Sequence, residues 1–391
     1  MPKHICRFTK NGVFLALILS FSMLFSSCVI QNEENINAAS KITFREASAI
    51  ASSPEVSAKA AIGIELSSGE IFFAKNIDKR LPMASTTKIM TALVALENGD
   101  ITDKVKVDKA ATGIEGSSIC LYEGEVLTLE NLLYATLLES ANDAATAVAI
   151  HIGGTVEDFV DMMNDKAKAL GLTNTHFDNP HGLDSETHYT TARELGQIAA
   201  YAMKNPTFRE MVSTYKTTIP MQNGGGTRVL INHNKLLRNY DGAIGIKTGY
   251  TKKSGRCLVS ASSKDSVELI CVTISAPSDW QDHESILDFG NSLYESKTLA
   301  YKNEFSYNIS VVGGQKNTVT AQIPYDVVAT VRKGWDINIV IEAQRFLYAP
   351  IYRDQTVGKV IFIQDGHIIA EAPLIATETI YRPNHKKIFS K

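Results

Sequence analysis

Three short groups of residues in this 391-residue chain have the types and spacing that acyl transfer demands. Ser85 and Lys88 stand three positions apart, Ser140 and Asn142 two apart, and Lys247-Thr248-Gly249 are consecutive. A serine hydroxyl titrates too high to attack an acyl carbon unaided, so it needs a base within reach. On a helix, residues i and i+3 share a face, which brings Lys88 beside Ser85. A serine at a helix N-terminus also feels the positive end of the dipole, which favours a developing oxyanion. Lys88 can accept a proton only if its pKa is lowered, and burial together with a second cation such as Lys247 would lower it. Ser140 can relay a proton to a leaving amine, and Asn142 can donate to an amide carbonyl. Lys247 and Thr248 offer a charge and a hydroxyl to a terminal carboxylate, while Gly249 lets a bound backbone come close to a strand edge.

Singly, two of the groups are weak signals. Ser-x-x-Lys recurs at Ser213/Lys216 and Ser-x-Asn at Ser306/Asn308, whereas Lys-Thr-Gly occurs once. Each group also has an ordinary explanation: Ser85 as a helix N-cap, Lys88 as a solvated lysine, Ser140 and Asn142 as a helix N-cap or a satisfied core polar pair, and Lys247 to Gly249 as a surface turn. Requiring the three in the order Ser-x-x-Lys, Ser-x-Asn, Lys-Thr-Gly leaves only 85/88, 140/142 and 247–249.

The elements that must position them are α/β in character. Ala61–Leu66 and Ile71–Ala74 read as strands about the turn Ser68-Gly69-Glu70. Ile89, Leu93 and Leu96 recur at helical spacing after Ser85, and Gly99 ends that helix. Thr128–Ile152 reads as one long helical region containing Ser140 and Asn142. Cys257–Ser262 and Val267–Ser275 read as strands joined by a turn at Ser263–Ser266, following Lys247-Thr248-Gly249. Past about Leu299 only short β-rich runs remain: 305–312, 318–322, 327–331, 337–342, 357–363 and 368–375. The expected division is a leader over 1–39, a mixed α/β domain over 40–298, and a small all-β domain with a tail over 299–391.

Charged residues make up 21% of the chain and the formal net charge is -3, so neither disorder nor nucleic-acid binding is indicated. Lys3, Arg7 and Lys10 precede the apolar stretch Val13–Phe25, too short to span a bilayer but of signal-peptide length. Two processing sites compete: Ser26-Ser27-Cys28, which would make Cys28 a lipidated N-terminus, and Asn37-Ala38-Ala39. Either places the protein outside the cytoplasmic membrane, in the cell envelope. Cys257 and Cys271 lie on neighbouring strand-like runs, but small buried thiols are the expectation. No metal-ligand spacing, nucleotide loop or CxxC is found, so neither a metal nor an organic cofactor is expected.

The ordered trio is the signature of class A β-lactamases and penicillin-binding proteins. With its surroundings the chain resembles the serine-type D-alanyl-D-alanine carboxypeptidases, low-molecular-mass penicillin-binding proteins of peptidase family S11. The resemblance rests on Pro82-Met83-Ala84-Ser85-Thr86-Thr87-Lys88-Ile89-Met90-Thr91, Glu139-Ser140-Ala141-Asn142-Asp143-Ala144, Asn179-Pro180-His181-Gly182-Leu183 and Gly245-Ile246-Lys247-Thr248-Gly249-Tyr250-Thr251. It implies a β-lactamase/transpeptidase-like domain, an antiparallel sheet with helices on both sides, followed by a C-terminal all-β domain. By the same resemblance Ser85 would be the acyl-enzyme nucleophile, Lys88 the base, and Ser140 the remainder of the proton relay. Asn142, Lys247, Thr248, Gly249 and Tyr250 would bind substrate, with the N–H groups of Ser85 and Tyr250 as the oxyanion hole. The implied substrate is a peptidoglycan stem peptide ending in D-Ala-D-Ala, and β-lactams would acylate Ser85. The C-terminus from Thr379 to Lys391 lacks the sustained apolar face of a membrane-binding helix, so either a lipidated Cys28 provides the anchorage or the protein is released. The competing readings are a β-lactamase, disfavoured because Phe177–Leu183 offers no Glu-x-x-Leu-Asn pattern, and a β-lactam-binding sensor or scaffold, which would need a membrane-spanning transducer.

Overall fold

The structure is a computed structural model describing residues 45–46, 53–221 and 225–383. Both expected processing sites, Cys28 included, and the final residues from 384 lie outside the described residues.

The first domain is built on a six-stranded sheet of β1 (Arg45–Glu46), β2 (Ala60–Glu65), β3 (Glu70–Lys75), β8 (Ala243–Thr251), β9 (Gly255–Lys264) and β10 (Val267–Ile274), in the order β1-β3-β2-β10-β9-β8. All pairings are antiparallel except β1 with β3. β2 is buried along its whole length, which is why its sequence is a continuous apolar run rather than an alternation. One face packs Ile62, Ile64 and Val259 against the helices α1 (Lys88–Asn98), α2 (Leu129–Leu138), α3 (Asn142–Gly153), α4 (Val156–Ala169), α5 (Ala192–Ala202) and α6 (Pro206–Ser213). The short α7 (Leu236–Asn239) lies against β8. The other face packs Phe72, Leu269 and Cys271 against Ile286 and Leu287 of α8 (Asp279–Leu293). Helix α1 is buried from Lys88 through Ala95, as a helix enclosed on all sides must be. Two hairpins, β4 (Lys104–Lys106) with β5 (Val126–Thr128) and β6 (Lys216–Pro220) with β7 (Thr227–Ile231), stand at the periphery.

The expected single helix over Thr128–Ile152 is two helices. α2 ends at Leu138 and α3 begins at Asn142, because Ser140 takes a left-handed conformation with φ 59° and the Asn142 N–H bonds the Ser117 carbonyl instead of continuing the helix. Apolar periodicity runs through the break unchanged, so the sequence pattern did not reveal it. Cys257 faces the helical core and Cys271 the α8 core, on opposite faces of the sheet, and both are free buried thiols.

The second domain holds β11 (Tyr294–Ala300) paired with β14 (Val327–Arg332), and a six-stranded sheet of β12 (Ser306–Val312), β13 (Thr318–Gln322), β15 (Ile337–Ala343), β16 (Phe346–Tyr348), β17 (Thr356–Gln364) and β18 (His367–Ala376). Ile309, Val319, Val360, Phe362 and Leu374 form its core. β11 spans the expected boundary at 298/299 and pairs wholly with β14. Arg332 of β14 donates to Glu70 of β3 at 2.6 Å, a pair in which both side chains are almost fully buried. Gln364 brackets it, accepting from the Arg332 N–H and donating to the Arg332 carbonyl. A desolvated pair of this kind joins the two domains at a defined place.

Candidate active site

Ser85 sits in a 3-10 turn, Ala84–Thr87, that leads directly into α1. Ala84 is left-handed at φ 47°, a conformation that costs an L-residue about 1–2 kcal/mol and so must be held by its surroundings. The turn is clamped from two sides. Gly182 lies so close that a Cβ there would fall 2.0 Å from the Ala84 carbonyl oxygen, and a Cβ on Gly249 would fall 2.9 Å from the Ser85 nitrogen. Gly249 therefore serves first to let β8 approach the nucleophile's own turn, where the sequence suggested approach of a bound backbone. From below, the Thr87 hydroxyl donates to the Ala84 carbonyl at 2.8 Å and meets His188 Nε2 at 2.7 Å. His188 Nδ1 accepts from the Asp178 N–H, so Nε2 carries the ring proton and donates to Thr87.

Lys88 is fully buried, with Nζ 3.0 Å from Ser85 Oγ, 2.7 Å from Asn142 Oδ1 and 2.6 Å from the His181 carbonyl. Burial holds its pKa well below the ordinary lysine value, the Lys247 charge lowers it further, and Asp143 opposes. A neutral amine has two N–H groups for the two carbonyl acceptors and one lone pair, which then faces the Ser85 hydroxyl. Asn142, read from sequence as a substrate donor, here orients the lysine with Oδ1 and donates from Nδ2 to the Glu115 carbonyl at 2.5 Å.

Lys247 is likewise buried, donates to the Thr248 carbonyl at 2.9 Å, and has its pKa lowered to about 7 by burial, against the pull of Glu139. Ser140 opens onto the same cleft as Ser85, its left-handed backbone turning it out of the α2–α3 helical line. Thr248, Gly249 and Tyr250 line that cleft, of about 360 Å³, while Lys88, Asn142 and Lys247 lie beneath its surface.

The cleft also contains residues that no short-range spacing marked: Ser117, His233, Lys235, Arg256, Asp279 and Trp280. Glu139 lies behind His233, its carboxylate 3.3 Å from the ring Nε2 and accepting from the Ile231 N–H. Arg256 stands opposite Tyr250 in the β8–β9 ladder and 3.7 Å from Asp279. A hairpin register drawn through the Thr251–Gly255 turn would have placed Arg256 there; nothing in the sequence would have brought Asp279 and Trp280 to it. Among the described residues no group of three or more His, Cys, Asp or Glu side chains converges as metal ligands would.

Comparison with known proteins gives a consistent picture. Residues 47–278 match the family model described as D-alanyl-D-alanine carboxypeptidase, and residues 294–382 match the C-terminal domain of penicillin-binding protein 5. The chain is 35% identical over 332 residues to the D-alanyl-D-alanine carboxypeptidase DacF of Bacillus subtilis, covering 82% of this chain and 85% of that protein. It is 31% identical to DacC of Escherichia coli, covering 84% and 85%. Among solved structures, penicillin-binding protein 5 of Haemophilus influenzae superposes with a TM-score of 0.66 at 28% identity, covering 85% of this chain and 100% of the other. A peptidoglycan synthesis regulatory factor, PBP3 of Streptococcus pneumoniae, does so at 0.72 and 26%, covering 84% and 100%.

Proposed function

The chain belongs to the D-alanyl-D-alanine carboxypeptidase family and is a serine-type D-Ala-D-Ala carboxypeptidase, and from this we propose that Ser85 is its acyl-enzyme nucleophile with Lys88 as the base. The single observation that carries the assignment is the placement of the buried Lys88 amine: Nζ 3.0 Å from Ser85 Oγ with both other contacts carbonyl oxygens.

In the proposed reaction the stem peptide lies along the β8 edge with its scissile carbonyl over Ser85. Ser85 Oγ forms the new C–O bond as its proton passes to Lys88 Nζ. The oxyanion is met by the N–H groups of Ser85, in its 3-10 turn, and Tyr250, on β8, two segments that the Gly249 contact brings together. The proton then moves through Ser140 to the amine of the departing D-alanine, whose carboxylate is held by Thr248 and by the charge of Lys247 beneath it. Water, activated by the restored Lys88, hydrolyses the ester. β-Lactams mimic the dipeptide and enter the same acylation, which is characteristic of the family.

A class A β-lactamase uses a dedicated Glu carboxylate to activate the deacylating water. Here the Phe177–Leu183 segment gives Lys88 a backbone carbonyl, from His181, and its Asp178 carboxylate is taken up by the hydroxyls of Ser185 and Thr187. That supports slow release of a β-lactam adduct. Envelope localisation accords with a peptidoglycan substrate, and attachment through a lipidated Cys28 is part of the proposal. The test is release of D-alanine from a soluble peptide ending in D-Ala-D-Ala, wild type against Ser85→Ala; release by the variant would exclude Ser85. Radiolabelled palmitate incorporation that persists in Cys28→Ser, or that is absent from the wild type, would exclude Cys28 as the lipidated residue.

A further inference from the structure

β15 is an outer strand of the second-domain sheet and, among the described residues, pairs with β17 alone, in a ladder without a bulge. Its sequence is Ile337-Asn338-Ile339-Val340-Ile341-Glu342-Ala343, and Ile339, Val340 and Ile341 are 45%, 44% and 37% exposed. An edge strand offers unpaired N–H and C=O groups to any other strand, and folded proteins ordinarily blunt such edges with lysine, proline or a bulge. β15 has none of these, and its one charged residue, Glu342, is met by Lys359 at 3.5 Å within the sheet.

We propose that β15 pairs antiparallel with β15 of a second copy of the chain, giving a two-fold dimer in which two six-stranded sheets become one. The sequence is complementary to itself in a single register. A two-fold axis perpendicular to the sheet keeps each side chain on its own face. Centred on Val340, it sets Ile339 opposite the partner's Ile341, Asn338 opposite the partner's Glu342 and Ile337 opposite the partner's Ala343. Apolar groups then meet apolar groups, and an amide meets a carboxylate. Moving the axis to Ile339 puts Asp336 opposite the partner's Glu342, two like charges. Moving it to Ile341 puts Val340 opposite the partner's Glu342, burying a carboxylate against a methyl group. A groove of about 750 Å³ along Glu342–Gln344, Thr356–Lys359 and Glu371–Pro373 opens beside the end of β15. In the Val340-centred register the partner's Trp335 and Asp336 arrive at that end.

A seven-residue strand pair is a small interface, so association on the order of micromolar is expected. Sedimentation velocity of the purified full chain from about 1 to about 100 µM spans that range. The expected result is a shift to twice the monomer mass, lost in Val340→Lys, which sets two ammonium groups face to face, and kept in Val340→Thr. D-alanine release is unchanged in both variants, since Val340 lies in the second domain, and so reports that they fold. In a Cys28→Ser, Cys120→Ser background, which removes the exposed Cys120 thiol, Val340→Cys cross-links to itself on oxidation. Directly paired residues have Cα separations within disulfide range. Ile337→Cys does not cross-link, because its symmetry mate is about 20 Å along the strand. A chain that stays monomeric throughout, a dimer that survives Val340→Lys, or cross-linking at Ile337→Cys instead of Val340→Cys each overturns the proposal.

Discussion

Lys88 Nζ stands 3.0 Å from Ser85 Oγ, and its two remaining contacts, Asn142 Oδ1 and the His181 carbonyl, can only accept. Of the three oxygens around it only the serine's can also give up a proton, so the amine, once neutral, keeps its two N–H donors on the carbonyls and turns its lone pair to Ser85. The expected consequence is that Lys88→Met, close in length and without charge, folds and loses about 10²–10⁴-fold in kcat for D-alanine release. Circular dichroism with a steady-state assay checks both halves; turnover within a few-fold of wild type would remove Lys88 from the proton path.

The pH dependence follows from the same buried amines. A base must be deprotonated to work, so the rate rises with pH through the lowered pKa of Lys88. Lys247, with its pKa held to about 7 by burial, loses its charge above that pH, and if its charge holds the carboxylate the rate falls there. In Lys247→Gln the Lys88 pKa rises, because the neighbouring cation that lowered it is gone, and the acidic limb of kcat/KM moves to higher pH. An acidic limb that stays in place would mean the two lysines do not communicate.

Gly249→Ala is expected to keep the fold and to lose about 10²-fold in kcat. The new methyl, 2.9 Å from the Ser85 nitrogen and 3.1 Å from that of Thr86, displaces the nucleophile's turn, and a shift of about 1 Å has that cost. A thermal melt within a few degrees of wild type separates this outcome from unfolding. Gly182→Ala, with φ +91° and a Cβ falling on the Ala84 carbonyl, is expected to destabilise outright.

His181 and His188 titrate at about 3 and about 4, both chiefly because burial disfavours the imidazolium. Their ordinary value is 6.5, so below it the unfolded chain takes up protons that the folded chain refuses. Stability present above pH 6.5 is therefore lost as pH falls toward 4, by on the order of 2 kcal/mol for a single buried histidine. His188→Gln, which can still donate to Thr87, should flatten part of that slope in melts recorded between pH 7 and 4. An unchanged slope would assign the acid loss to other groups.

Breaking the Glu70–Arg332 pair from one side leaves a buried charge, so Arg332→Met is expected to cost about 3–5 kcal/mol. The double variant Glu70→Leu, Arg332→Met should recover most of it. Denaturant titration of the single and double variants gives the coupling directly, and additive losses would show that the pair is not the joint.

What could be read from sequence divides along range. Ser85 with Lys88, and Lys247 through Gly249, are local spacings, and the second-domain strands β12, β13, β14, β15, β17 and β18 follow local alternation, so these were legible. β16 is three residues long and β11 alternates only weakly, so neither stood out. The break at Ser140 depends on the distant Ser117 carbonyl, and the third contact of Lys88 is a backbone oxygen that has no sequence signature. Arg256, Asp279 and Trp280 meet only because α8 packs back across β9. The fold class was thus accessible from pattern, while the environment that tunes each lysine needed the tertiary contacts.

The clasp of Glu70, Arg332 and Gln364 is expected to hold the length from the far end of the second domain to the cleft constant. Such an enzyme is a ruler. Whatever held its lower end would then fix one height at which stem peptides can be trimmed. Paired spin labels across the clasp should give one narrow distance, and a broad distribution would turn the ruler back into a tether.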